Sequence, residues 1–199
     1  MIRSILLALA LAHSTAAFAG HGFMNSFEDI QSLPDPGTTP DELGYQVDSW
    51  QEQVRLAIAS SPEERYVLAL ELCREKLAET EAMVVKENAS AAKTAVGAYT
   101  RYLDTAAQAL ESHSQAARVN LNLEFANTLL EHQYIVSVNY LDLPRDARVL
   151  MLEAMRVADS HYGKVSSLLD RKVKESLFFK EEKVRWSTEM AEQADIQGL

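Results

Sequence analysis

The sequence predicts an all-α fold, an elongated antiparallel up-down bundle of about five long helices with a long C-terminal helix. Three observations predict it. Beyond Pro40 only two prolines remain, Pro62 and Pro144, both at apparent helix starts, and after Gly44 only Gly97, Gly163 and Gly198. The intervening chain is rich in Ala, Leu, Glu and Lys, which lose little on entering a helix. Apolar residues recur in alternating steps of four and three, the seam by which helices pack on helices.

The elements follow in order. Residues 1–19 read as a secretory signal. Arg3 lies in a short basic start, Ser4 to His13 is mostly apolar, and Ala17-Phe18-Ala19 places small residues at both cleavage positions before Gly20. The apolar run is shorter than the ~20 residues a membrane helix needs. The expected product is a cleaved chain, periplasmic or secreted, with no transmembrane segment after cleavage. Residues 20–39, with Pro34, Pro36 and Gly37, form an expected flexible linker. The bundle domain is expected over residues 40–171, and residues 172–199 as a C-terminal helical extension.

The first helix is expected to start near Pro40, with Thr39 as N-cap and Asp41 and Glu42 complementing the helix dipole. Its expected seam is Leu43, Val47, Trp50, Val54 and Ala57. Ser61-Pro62-Glu63-Glu64 restarts the chain as a capping box. The second helix then carries Tyr66, Leu70, Cys73, Leu77, Thr80 and Val84, ending around Glu87 and Asn88. A third carries Ala92, Val96, Tyr99, Leu103, Ala106 and Leu110. Ser112 to Gln115 makes the next turn, with Ser114 as cap. The fourth helix carries Leu121, Phe125, Leu129, His132 and Val136 and runs to about Tyr140. Leu143-Pro144 breaks the chain, and a fifth carries Ala147, Met151, Ala154, Val157, His161, Val165 and Leu168. Beyond Leu169 the charged stretch 172–193 either extends this helix or folds back as a sixth. A long, kinked terminal helix is favoured, since neither Gly nor Pro interrupts it.

Composition narrows function. The chain has 19 basic and 29 acidic side chains, a net charge of −10; without Arg3 the balance is 18 against 29, or −11. Such a chain suits neither a nucleic-acid backbone nor anionic lipid. Cys73 is the only cysteine. An intramolecular disulfide is therefore impossible. Its place on an apolar stripe predicts a buried, inert thiol, with an intermolecular disulfide as the alternative.

The stretch Thr38-Thr39-Pro40-Asp41-Glu42-Leu43-Gly44-Tyr45 with Trp50, followed by the Pro-led helix Ser61-Pro62-Glu63-Glu64-Arg65, resembles the opening of domain-of-unknown-function family 5667. So do Leu70, Cys73 to Glu79 and Glu81-Ala82-Met83. Glu131-His132, Val136, Leu143 to Ala147, Ala154-Met155 and Ser160-His161 are similar to its closing helix pair. The resemblance spans about Pro34 to Asp170. One departure stands out: Glu42-Leu43-Gly44 replaces the usual Ser-Pro and its following residue. The resemblance implies an exported helical fold and supplies no catalytic residue.

Chemistry-bearing motifs are few. Cleavage after Ala19 would expose Gly20-His21-Gly22-Phe23-Met24, where the free amine, an amide and the His21 imidazole can chelate Cu(II). His132 and His161 fall on apolar stripes of adjacent helices, but at 1.5 Å per residue they differ by ~10 Å along the bundle. They are expected as core histidines with hydrogen-bonded rings. Carboxylate-bridged iron needs Glu three residues before His; before His113, His132 and His161 stand Leu110, Leu129 and Ala158. There is no C-x-x-C-H, G-x-S-x-G, phosphate-binding Gly loop or H-E-x-x-H. Tyr99, Tyr102, Tyr134 and Tyr140 are expected in the bundle or its rim. The tail residues Leu177, Phe178, Phe179, Val184 and Trp186 are more apolar than a free charged tail needs. They either pack back on the bundle or, on the functional reading, are candidates for a protein partner or self-association. The expectation is an exported, non-catalytic binding protein or envelope scaffold without cofactor. The alternative is periplasmic metal or copper handling through His21.

Overall fold

A computed structural model describes residues 33–140 and 148–197 of the chain. The signal at 1–19, His21 and the Leu143-Pro144 break lie outside the described residues. Six helices follow in order: α1 (Tyr45–Ile58), α2 (Pro62–Val85), α3 (Ala89–Glu111), α4 (Gln115–Asn139), α5 (Arg148–Ser167) and α6 (Arg171–Gln197). No strand occurs among the described residues, so the all-α bundle is the fold. None of these helices is long and apolar enough to cross a membrane.

α2 packs mainly along α3, and α4 packs along both α5 and α6. α5 also lies against α3, which joins the two groups around one core. Tyr66, Leu72, Leu77, Tyr99, Leu103, Leu129 and Met151 are among its fully buried side chains. The four-three stripes expected of the third and fourth helices are buried throughout. α2 is buried nearly all round in its second half, where consecutive residues 76–80 all face protein.

The caps explain the boundaries. Ser61 Oγ accepts from Glu64 N at 3.1 Å, and Glu64 Oε2 reaches back to Ser60 N at 2.7 Å. Ser114 caps α4 by accepting from Ala117 N. α2 ends without glycine. Glu87 takes φ +58°, Asn88 N donates to Met83 O, and Glu87 N donates to Val84 O, both at 2.9 Å. This is the paired-bond termination that a left-handed residue allows. Asn88 then caps α3 by accepting from Ala91 N.

Three expectations are corrected. Residues 39–44 form turns and not the first helical turn: Thr39 O accepts from Glu42 N, while Thr39 Oγ1 binds Asp41. α1 begins at Tyr45 and turns its expected seam outward, with Leu43, Val47 and Trp50 exposed. The terminal stretch does not extend α5. Leu169 is buried where Leu168 was expected, and Asp170 Oδ1 accepts from Val173 N at 3.0 Å. The chain thereby starts α6 afresh, and α6 folds back onto α4.

Glu87 holds a non-glycine residue in the left-handed region, which costs roughly 1 kcal/mol. Glu87→Gly is expected to raise stability by about 0.5–1 kcal/mol, with the slope of urea unfolding unchanged.

Candidate functional site

The most unusual chemistry lies where α1 meets α2 and α3. α1 has too few inward apolar side chains to pack on α2 as a greasy seam. Its buried residues are Tyr45, Glu52 and Leu56. One helical face thus carries a carboxylate inward. α2 answers it with Lys76, which is fully buried. Lys76 Nζ lies 2.6 Å from Glu52 Oε1 and 2.6 Å from Glu79 Oε1. Tyr102 Oη on α3 donates to Glu52 Oε2 at 2.7 Å. The Tyr45 ring lies 5.2 Å from Lys76 Nζ, a cation–π contact. Thr80 Oγ1 donates to Lys76 O at 2.7 Å.

One cation therefore serves two carboxylates in a buried site, and the two are not equivalent. Glu52 has donors on both oxygens. Glu79 has Lys76 on one oxygen and no hydrogen-bond partner on the other among the described residues. Burial pushes the Glu79 carboxyl up to about 7, against the opposing pull of Lys76. Burial works against the Lys76 ammonium, but hydrogen bonds to Glu52 and Glu79 outweigh it and hold it above its usual range. The Tyr102 hydroxyl is raised by burial and by its bond to Glu52. A protonated Glu79 leaves one cation facing one carboxylate, the neutral combination a buried site favours. The arrangement clamps three helices together.

A second polar chain threads the core. Tyr99 Oη lies 3.0 Å from His132 Nδ1, and the Cys73 thiol lies 4.0 Å from Tyr99 O. Burial drives the His132 pKa down to about 3, with Arg74 adding to it, and lifts the Cys73 thiol well above its usual value. His132 is a neutral core histidine and Cys73 an inert thiol, as their stripes predicted. His161 Nε2 lies 3.2 Å from Asp104 Oδ1 and packs on Phe125. Burial lowers the His161 pKa despite Asp104. His113 Nδ1 donates to Ala109 O at 2.8 Å, and its Nε2 lies 3.0 Å from Glu63 Oε2. The histidines thus have separate partners, and no group of three His, Cys, Asp or Glu among the described residues could hold a metal. His21, the candidate copper ligand, lies outside the described residues.

The candidate tail residues divide. Leu177 and Val184 are buried in the core, which corrects their assignment to a partner surface. α6 buries Val173, Leu177, Lys180, Val184 and Ser187 at least in part, again at steps of four and three. Lys180 Nζ bonds Asn127 Oδ1 on α4 at 3.0 Å, and Ser187 Oγ meets Ser137 Oγ at 2.8 Å. Phe178, Phe179 and Trp186 remain outside at 50%, 62% and 64% exposure. Met190 continues this outer face. The charge clamp escaped sequence reasoning because Glu52, Lys76 and Tyr102 are distant in sequence. The available signal was Glu52 four residues before Leu56 and seven after Tyr45, a stripe with a carboxylate in it.

The family model for the domain of unknown function DUF5667 matches residues 37–136. Those residues hold α1 to α3 and most of α4, including the whole charge clamp. The later stretch that resembles the closing helix pair lies largely beyond the match. No curated protein matches the chain, and no solved structure matches it.

A carboxyl whose folded pKa is raised above its unfolded value binds more protons in the native state. Its stabilising contribution is complete below about 4.5 and is lost as pH rises through about 7. His132 works oppositely, losing its contribution as pH falls from 6.5 toward 3. Comparison with Glu79→Gln isolates the first effect. The wild-type advantage over this variant in urea unfolding should be larger at pH 5 than at pH 8, by on the order of 2 kcal/mol. Equal advantages at the two pH values would show an ordinary carboxyl. Lys76→Met, which leaves two carboxylates without their cation, is expected to cost ~3–5 kcal/mol at pH 8. The loss should shrink below pH 5 as those carboxylates take up protons.

Proposed function

The chain belongs to the DUF5667 family, and from that premise we propose that it is an exported, non-catalytic protein that acts by binding another protein. The outer face of α6 is its docking surface. One observation carries the reading. α6 has already met its packing need through Leu177 and Val184, yet it places Phe179, Trp186 and Met190 outside on one flank. Burying an aromatic side chain of this kind in a contact is worth about 1.5–3 kcal/mol. Tyr and Trp anchors are also the residues on which protein interfaces concentrate their energy. Export rests on the signal-like residues 1–19.

Phe179→Glu/Trp186→Glu changes only exposed positions and should leave helicity and Tm close to wild type. Immobilised wild-type protein is expected to retain a discrete partner from a cell-envelope extract, and the double variant to lose it. Equal retention by both proteins would remove α6 from the binding surface. N-terminal sequencing of the protein recovered outside the cytoplasm is expected to begin at Gly20.

A further inference from the structure

The flank of α6 that faces α5 carries a different kind of surface. A groove of about 530 Å³ runs between α4, α5 and α6. Its floor is apolar: half-buried Leu152 and the exposed edges of the otherwise buried Leu130, Met155 and Val184. Its rim carries four carboxylates, Asp159, Glu181, Glu182 and Glu189, against the two guanidinium groups of Arg156 and Arg185. Two of the carboxylates are occupied: Glu181 accepts from Tyr162 Oη, and Glu182 pairs with Arg185. Asp159 and Glu189 have no cation paired with them among the described residues. These two stand on opposite walls, Asp159 on α5 and Glu189 on α6.

The lining residues span positions 152–162 of α5 and 181–189 of α6. At 1.5 Å per residue each wall is roughly 12–15 Å long. A trough of that length, closed at one end where Tyr162 meets Glu181 and with an apolar floor and acidic walls, matches about two turns of a helix better than it matches a compact ligand. Helix-in-groove recognition uses apolar anchors at i, i+3, i+4 and i+7, with the polar flanks of the incoming helix meeting the rim.

We propose that this groove seats a basic amphipathic helix of the partner protein. The proposal rests on the reading of α6 as a docking surface and gives the partner its chemistry: Leu-like anchors on one face, Lys or Arg on both flanks. The acidic rim and the chain's charge of −10 draw such a segment in and repel acidic ones.

The test uses the protein with its signal removed and an amidated 18-residue helical peptide of Leu and Lys, with Leu at the four-three positions. Calorimetric titration is expected to give saturable one-to-one binding. Asp159→Lys/Glu189→Lys should weaken it at least tenfold. Glu42→Lys/Glu71→Lys, the same charge change at exposed positions on other elements, should weaken it less than twofold. In methyl-labelled methionine spectra the Met155 resonance should shift on binding, while that of Met83, buried on α2, should not. Equal weakening by both charge pairs, an unmoved Met155, or equal affinity for a Leu and Glu peptide would overturn the groove. Phe179→Glu/Trp186→Glu should leave peptide affinity unchanged. Loss of partner capture in that variant, together with peptide binding indifferent to Asp159→Lys/Glu189→Lys, would overturn the groove and spare the reading it rests on. Capture unaffected by Phe179→Glu/Trp186→Glu, with the groove results as expected, would do the reverse.

Discussion

The buried ammonium of Lys76 dictates how the N-terminal part of the bundle is assembled. It sits on the most enclosed part of α2, and a lone charge there would be untenable. It must be met from both sides, by Glu79 on its own helix and by Glu52 on α1. Glu52 in turn needs Tyr102, which ties α3 into the same knot. Such a cluster contributes less net stability than apolar residues of the same volume would. What it supplies is orientation, because only one rotation of α1 delivers Glu52 to Lys76. With Glu52 and Leu56 turned inward, Val47 and Trp50 have no choice but to face outward.

The same cluster explains where sequence reasoning succeeded and where it did not. Wherever a helix packs by apolar surface alone, its stripe was legible: Val96, Tyr99 and Leu103 on α3, and Phe125, Leu129 and Val136 on α4, are all buried. Local capping chemistry was equally legible, since Ser61 and Ser114 act on backbone groups only three residues away. α1 failed because its more apolar face is not its buried face. Periodicity finds a stripe but cannot tell that a carboxylate 24 residues from its lysine outcompetes a tryptophan for the interior. The candidate site was illegible for the same reason: Glu52, Lys76 and Tyr102 converge only after three helices have packed.

The C-terminal region shows the complementary failure. With no Gly or Pro to mark the break, the sequence favours a continuous terminal helix over a fold-back, although Asp170 carries the side chain that caps a new helix. Buried Leu169 pins the turn while Leu168 points out. Once α6 turns back, Leu177 and Val184 become core residues, and the apolar content of the tail divides between packing and exposure. Three of the five candidate tail residues, Phe178, Phe179 and Trp186, do lie outside, so residue type alone marked part of the outer face. Their separation from buried Leu177 and Val184 depends on the rotation of α6, which the polar contacts of Lys180 to Asn127 and Ser187 to Ser137 help set.

These two helices share a logic. α1 and α6 are each oriented partly by polar contacts rather than by their greasiest side chains, and each leaves a tryptophan in solvent. On α6 that rotation also carries Glu181, Val184 and Glu189 toward α5. The groove is therefore a consequence of the same packing that exposes Trp186 on the other flank. A helix that buried Phe179 and Trp186 against α4 would swing Glu181 and Glu189 away from α5 and abolish the trough. The exposed aromatic row and the acidic trough are two results of one rotational setting.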